Sequence, residues 1–421
     1  MIDIQRIQRF KVFQNRAYLL YFIGRTISWV GNSMQFIANS WLALELTGQA
    51  YPVALILIAS SLPGIIFSPI IGLVVDRIDR KWLAAIMDTF SALVLGTIIL
   101  LWYVKLLQVW HLYALSFLLA LADTVYAPAV TGLIRETVPQ DDLLYANTTS
   151  GVALQVGGVI GAGLGGIIIA ITSPIWVMGV NAASFCVAAI CMVAMRRGYC
   201  SPSTTNEKLK GFKTYVTDIY AGLLFIKEHH AITIKYIMMF SISTTLYTIN
   251  VLIAPFTRNV LHVGVSGFGY MEGAFATGAI ISNALLPMIT HKYGNSRTIT
   301  VGMCCISISL FLLVISQNLL TALVSYFLLG ITFQVGVLLG TRVQESIPSH
   351  YQGRVYATFN AISSLSSLIV FFCMGFLAGF FSLRWLYGFQ CILLVIAGLI
   401  AYRHIYLADK KSVLAAQEIA K

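Results

Sequence analysis

Gly72-Leu-Val-Val-Asp-Arg-Ile-Asp-Arg-Lys81 gathers five charges, Asp76, Arg77, Asp79, Arg80 and Lys81, into one short stretch. The apolar run Pro52 to Val75 leads into it and a second, Trp82 to Val104, leads out. A membrane helix needs roughly 20 consecutive apolar residues. Both runs meet that length, so the charged stretch reads as a tight turn between two spans.

The whole chain has the same character. Of its 421 residues 58% are hydrophobic and 10% charged, against about 25% charged in an average soluble domain. Such a chain has too little polar surface to face water all round and needs lipid. The seven cysteines form no Cys-x-x-Cys pair and mostly sit inside apolar runs, where they are expected as small core hydrophobes. No small-residue cleavage site follows the basic opening residues, so no removed signal peptide is expected.

Twelve apolar runs are long enough to span, at about 18–44, 52–75, 82–104, 111–135, 142–170, 174–195, 232–256, 266–290, 296–316, 320–343, 354–381 and 384–407. Residues 1–16 carry Arg6, Arg9, Lys11 and Arg16 and read as an amphipathic lead-in. The long polar stretch from Arg196 to about Lys227 separates the sixth and seventh runs. The expected fold is an all-α membrane protein: two pseudo-symmetric six-helix bundles, 1–196 and 232–421, joined by a cytoplasmic loop over 197–231.

Charge placement gives an orientation. With the N-terminus inside, only Lys105, Arg258 and Arg384 fall in outer loops, and Arg25 lies within the first span. The other Lys and Arg are then cytoplasmic, as the positive-inside rule requires. Both termini are expected inside. The net charge of +11 is explained by topology, and no nucleic-acid partner is needed.

The halves repeat. Phe117 to Gln140, FLLALADTVYAPAVTGLIRETVPQ, parallels Phe327 to His350, FLLGITFQVGVLLGTRVQESIPSH. Each opens Phe-Leu-Leu and closes on Glu-x-apolar-Pro, with Glu136 and Pro139 in one, Glu345 and Pro348 in the other. Paired repeats of this kind point to a transporter with a central site near mid-membrane.

The stretch from Gly72 to Lys81 resembles the Gly-x-x-x-Asp-Arg-x-x-Arg-Lys loop of the major facilitator superfamily. Thr47-Gly48, Leu62-Pro63, Pro69, Arg25-x-x-Ser28-x-x-Gly31, Gly222 to Lys227 and Gly353-Arg354-Val355 resemble its drug and siderophore exporter branch, which includes macrolide-efflux proteins and enterobactin exporters. The resemblance covers nearly the whole chain. It implies that Asp76 caps a helix of the opposite half, and that Arg77, Arg80 or Lys81 latches onto Asp141 and Asp142. The matching turn of the second half, His291 to Arg297, has no aspartate. In the fifth span Gly157, Gly161, Gly165 and Gly166 resemble the antiporter motif Gly-x-x-x-Gly-Pro-x-x-Gly-Gly, with Ala162 at the proline position. Small residues at this spacing let helices approach closely.

Charges inside a span cost at least about 2.5–3.5 kcal/mol at its centre and usually face a cavity. Asp123 lies near the middle of the fourth span. Arg25 and Asp88 lie about 10 Å in from one end of theirs, and Glu272 about 9 Å in. The family arrangement puts the first, second, fourth and fifth spans and their counterparts around the cavity, and the third outside. Asp123 and Glu272 are thus the expected proton-coupling groups, since a desolvated carboxylate readily takes up a proton. Arg25 is the expected partner of Asp123, and Asp88 is expected to support the charged turn. Asn32, Gln35, Asn39, Tyr126, Gln155, Tyr247, Asn250 and Gln334 complete the candidate cavity lining. Phe333 stands where the repeat would place an acid opposite Asp123.

These features favour a proton-coupled exporter of a small amphipathic molecule, such as a siderophore or drug, working by alternating access in a bacterial inner membrane. It is expected to act as a monomer, with the proton gradient as its energy source and no cofactor. Uptake by symport and lipid flipping stay as alternatives. A membrane enzyme is disfavoured, because it would need clustered His, Asp or Cys at one interface, and His229-His230 in the central stretch is too little. The chain also has no metal-ligand spacing and no Gly-x-x-x-x-Gly-Lys nucleotide loop.

Overall fold

The computed structural model describes residues 12–75, 78–195, 212–347 and 349–403. Residues 1–11 of the expected lead-in, Asp76 and Arg77 of the charged turn, and the 196–211 part of the central stretch lie outside the described residues. The described residues are helical almost throughout.

The first six long helices are α1 (Arg16–Thr47), α2 (Tyr51–Val75), α3 (Arg80–Tyr103), α4 (Val109–Thr137), α5 (Leu143–Ile171) and α6 (Pro174–Ala194). Local chemistry sets their ends. The Asn15 side chain accepts hydrogen bonds from the backbone N–H of Ala17 and Tyr18, capping α1, while its amide donates to the Thr137 carbonyl at 2.6 Å and ties that start to the end of α4. Gly48 ends α1 with φ +70°, a backbone conformation that glycine takes without steric cost. Asp79 caps α3 by accepting from Lys81 and Trp82. Pro174 begins α6, at a position whose N–H has no helical partner to lose.

The helix α7 (Phe212–Glu228) precedes the second set: α8 (His230–Asn259), α9 (Val265–Tyr293), α10 (Asn295–Ile315), α11 (Leu319–Phe333), α12 (Val335–Glu345), α13 (Ser349–Leu377) and α14 (Leu383–Ala401). Two features differ from the expectation. The end of the central stretch is a 17-residue helix running almost directly into α8, in place of a polar hinge. Its Phe225 stacks on His229 and Tyr351, so apolar packing holds it in place. The tenth span is interrupted at Gln334, which closes α11 and opens α12.

Counting α11 and α12 as one segment gives twelve membrane-length segments among the described residues. Ten helical segments are long and apolar enough to cross a bilayer by length and composition. Tyr51–Phe67 of α2 is a shorter apolar segment. The helix α1 is long, but it carries Arg25, Asn32, Gln35, Asn39 and Glu45, which dilute its apolar character. Large apolar side chains such as Leu93, Trp176, Ile190, Ile308 and Leu320 stand exposed, as lipid contact requires. Cys186, Cys304 and Cys373 are exposed too, whereas Cys391 is buried, so the cysteines are not uniformly core residues.

Contacts divide the chain into two units, 1–48 with 55–212, and 49–54 with 213–421. In the first unit α1 packs along α5 and α6, and α3 packs along α4 and α6. The glycines of α5 make the first of these contacts possible. A Cβ on Gly157 would lie 3.0 Å from Trp29 Cβ, and one on Gly165 would lie 3.0 Å from Met34 Cα. One on Gly161 would run into the Val30 carbonyl oxygen. These positions, four residues apart, form a single face pressed on α1, and Ala162 and Gly166 are buried beside it. In the second unit the close approach is between α9 and α11, where a Cβ on Gly278 or Gly330 would strike the backbone of the other helix.

Candidate functional site

A cavity of about 250 Å³ opens within the first unit among α1, α2, α3 and α4. Six candidates from the sequence, Arg25, Asn32, Gln35, Asn39, Asp123 and Tyr126, line it. On α1, Gln35 and Asn39 lie one turn apart and bond to each other, amide nitrogen to carbonyl oxygen at 2.8 Å. Asn39 reaches Ser116 on α4 at 3.5 Å. Asn32 accepts from Asn181 of α6 at 3.3 Å. Asn181 is fully buried; within its apolar run the sequence offers no sign of this role.

The charged centre joins α1 to α4. Arg25 Nη2 donates to Asp123 Oδ1 at 3.0 Å. The guanidinium also lies over two aromatic rings, 4.5 Å from the Tyr126 centroid and 5.4 Å from that of Trp29. Such contacts attract a cation to the π-face, and more strongly where water is excluded.

Asp88 is the principal correction. Its depth and its place on the third span suggest support for the charged turn. The side chain instead lines the same cavity and is 2% exposed. Two carboxyl groups thus share a cavity with one guanidinium. Three buried side-chain atoms around that cavity, Asp88 Oδ2, Gln35 Oε1 and Tyr126 Oη, make no hydrogen bond. Buried polar atoms are normally paired, and an unpaired one costs about 1–3 kcal/mol. The cavity therefore holds two unpaired acceptors and an unpaired hydroxyl beside two carboxyl groups and one guanidinium, an arrangement that offers hydrogen-bonding partners to a ligand.

The other candidates lie elsewhere. Gln155 is exposed on α5 and does not line this cavity. Tyr247, Asn250, Glu272 and Gln334 belong to the second unit. The Tyr247 hydroxyl pairs with Ser363 at 2.8 Å. Glu272 is half-buried and accepts from the Tyr326 hydroxyl at 3.0 Å. Asn250 is half-buried on α8, and Gln334 sits at the helix interruption.

Gly72 lies in the last turns of α2. Arg80 is bonded to the carboxylate of Glu136, at the end of α4. A Cβ on Gly132 would sit 2.7 Å from Arg80 Cδ, so that glycine lets the arginine lie across α4 to reach Glu136. Lys81 Nζ stands 5.4 Å over the Trp82 ring. Asp142 completes a 3-10 turn with Gln140 and Asp141, its N–H bonded to the Pro139 carbonyl. The Asp141 side chain lies outside what is described.

Comparison with known proteins agrees with this architecture. The profile of the transmembrane secretion effector family matches residues 7–418. An uncharacterized MFS-type transporter of Bacillus subtilis, YfiS, is 25% identical over 92% of this chain and 93% of its own length. Macrolide efflux protein A of Streptococcus pyogenes is 20% identical over 86% of this chain and 88% of its own. The multidrug efflux pump Tap of Mycolicibacterium fortuitum is 27% identical over 42% of this chain and 45% of its own. Among solved structures, a point mutant of the nucleoside transporter NupG superposes with a TM-score of 0.75 at 11% identity, covering 92% of this chain and 99% of that one. A bacterial homologue of the human lysosomal transporter Spinster gives 0.69 at 14%, covering 94% and 98%. At these identities the structures speak for the fold alone. With a family profile spanning nearly its full length and the twelve-segment helical architecture already described, the chain belongs to the transmembrane secretion effector family of the major facilitator superfamily, a family of transporters rather than enzymes.

Proposed function

We propose that this transporter exports a small amphipathic molecule, drug-like or siderophore-like, in exchange for protons. The observation that carries the reading is the first-unit cavity, where Asp88 lines the wall together with the Arg25–Asp123 pair and beside unpaired polar atoms. Protonating Asp123 removes its hold on Arg25, and deprotonation restores it. Cargo and proton can thereby compete for one charged centre, which is the requirement for exchange. The amide groups of Asn32, Gln35 and Asn39 supply hydrogen bonding on otherwise apolar walls, a combination suited to a large amphipathic cargo. The macrolide and multidrug efflux relatives support the direction and cargo class. The protein would sit in a bacterial cytoplasmic membrane with both termini inside and act as a monomer.

Inside-out vesicles test this. An imposed pH gradient, acid inside, should drive accumulation of a labelled macrolide or of ethidium by the wild type. Asp123→Asn should abolish the gradient-driven component, with expression and melting temperature little changed. Full gradient-driven transport by this variant would end the proposal. Accumulation only in right-side-out vesicles would replace export with uptake.

A further inference from the structure

The second unit holds a groove that the transport reading does not use. It runs between α9, α10 and the junction of α11 with α12, and encloses about 370 Å³. Leu286 and Ile289 form one wall, Val301 the other, and Ile331 and Val335 the floor. Two threonines in the lining turn their hydroxyls onto their own helices. Thr298 donates to the Gly294 carbonyl at 2.8 Å and Thr332 to the Leu328 carbonyl at 2.9 Å. Apart from Ser282 and the mouth, the lining is apolar. Its floor depends on Gly302, where a Cβ would overlap the side chain of Val335, the first residue after the helix interruption.

One end of the groove is basic. Tyr293 and Arg297 line it, and Lys292 Nζ stands 5.1 Å over the Tyr293 ring. Among the described residues no carboxylate lines the groove. The distance from Arg297 to Cys305 along α10 is about 12 Å at helical rise. One leaflet of a bilayer's hydrocarbon core measures about 15 Å. Val301 is 58% exposed, so the groove opens sideways along most of that length.

We infer that this groove binds one anionic phospholipid, with its phosphate at Arg297 and Lys292 and an acyl chain lying against Ile289, Val301 and Val335. Basic pockets between membrane helices bind anionic headgroups, and a guanidinium pairs with phosphate in bidentate fashion. A hydrogen-bonding cargo finds few partners beyond the mouth of the groove. The occupant is therefore a membrane lipid.

The test uses the full chain, purified in detergent and stripped of lipid. It is titrated with dioleoyl phosphatidylglycerol or dioleoyl phosphatidylcholine, and bound lipid is counted by native mass spectrometry. Phosphatidylglycerol should be retained in preference. Arg297→Gln should lower its retention by about fivefold and leave phosphatidylcholine unaffected. Val301→Trp and Ile289→Trp, which fill the groove, should lower retention of both lipids. Lys105→Gln, in the first unit, should change nothing. Equal retention of the two lipids, indifference to Arg297→Gln, or retention of oleate in place of phosphatidylglycerol would overturn the inference. Displacement of bound phosphatidylglycerol by a macrolide would overturn it too, by giving the groove to cargo. If the tryptophan variants fail to fold, Arg297→Gln decides alone, because that arginine is exposed.

Discussion

Arg25 and Asp123 meet at 3.0 Å, yet their side chains are 12% and 58% exposed. The cation is fixed by packing under Tyr126 and Trp29, while the acid stands in the open part of the cavity. An ion pair with so exposed a member contributes at most about 1 kcal/mol to stability. Its value lies in being breakable. A proton can reach Asp123 without unpacking Arg25.

The guanidinium in this cavity makes a first prediction. Arg25→Met leaves Asp88 and Asp123 in one cavity without a cation and removes the contact with Tyr126. It should destabilise the protein by about 1–3 kcal/mol, the cost of leaving further buried polar groups around the cavity unpaired. Adding Asp88→Asn should restore most of that loss, because the more deeply buried of the two stranded charges disappears. Thermal melting of the single and double variants, read as a double-mutant cycle, measures the coupling. Strict additivity would show that Asp88 and Arg25 do not interact.

The glycine face of α5 makes a second. Gly161→Ala places a methyl against the Val30 carbonyl and 2.7 Å from Ser33 Cβ. Overpacking of this kind costs about 1–3 kcal/mol. Gly163→Ala, two residues away, meets nothing within 4 Å and should be neutral. The two melting temperatures, measured in the same detergent, should separate clearly. Equal values would mean that α1 and α5 do not pack as described.

The third concerns the pair Arg80–Glu136. Glu136→Gln removes a partly exposed ion pair and should cost less than about 1 kcal/mol in stability. It should nonetheless change the transport rate, because it removes the Glu136 tie between the charged turn and the end of α4. The charge reversal Arg80→Glu with Glu136→Arg should recover part of the rate. Transport by Glu136→Gln at the wild-type rate would show that the pair is only a structural tie.

Much of this molecule is legible along the chain. The spans are visible because each must satisfy its backbone internally and present apolar side chains to lipid over a fixed thickness. Arg25 and Asp123 stand out because charge is rare at that depth. Asn32, Gln35 and Asn39 can be placed together because helical spacing puts them on neighbouring faces. Asp88 is visible as a buried charge, but its neighbours are not, since depth along one helix says nothing about which way that helix is rotated. Glu136 is visible as part of the repeat, yet Asp141 and Asp142, carried over from the family resemblance, are the expected partners for Arg80. Only the glycine at position 132, which clears a path over α4, brings the arginine to Glu136.

The sequence alone determined the number and order of the membrane-spanning segments, because hydropathy and helical rise act locally; helix α7 and the break at Gln334 were settled by packing. It also determined which charges would be costly. Which of those charges share a cavity, which polar atoms stay unpaired there, and where a lipid-sized groove opens beside Arg297 were decided only by tertiary structure. Those properties depend on the rotation and separation of helices far apart in the chain, and helix separation is set by side-chain volumes meeting across an interface.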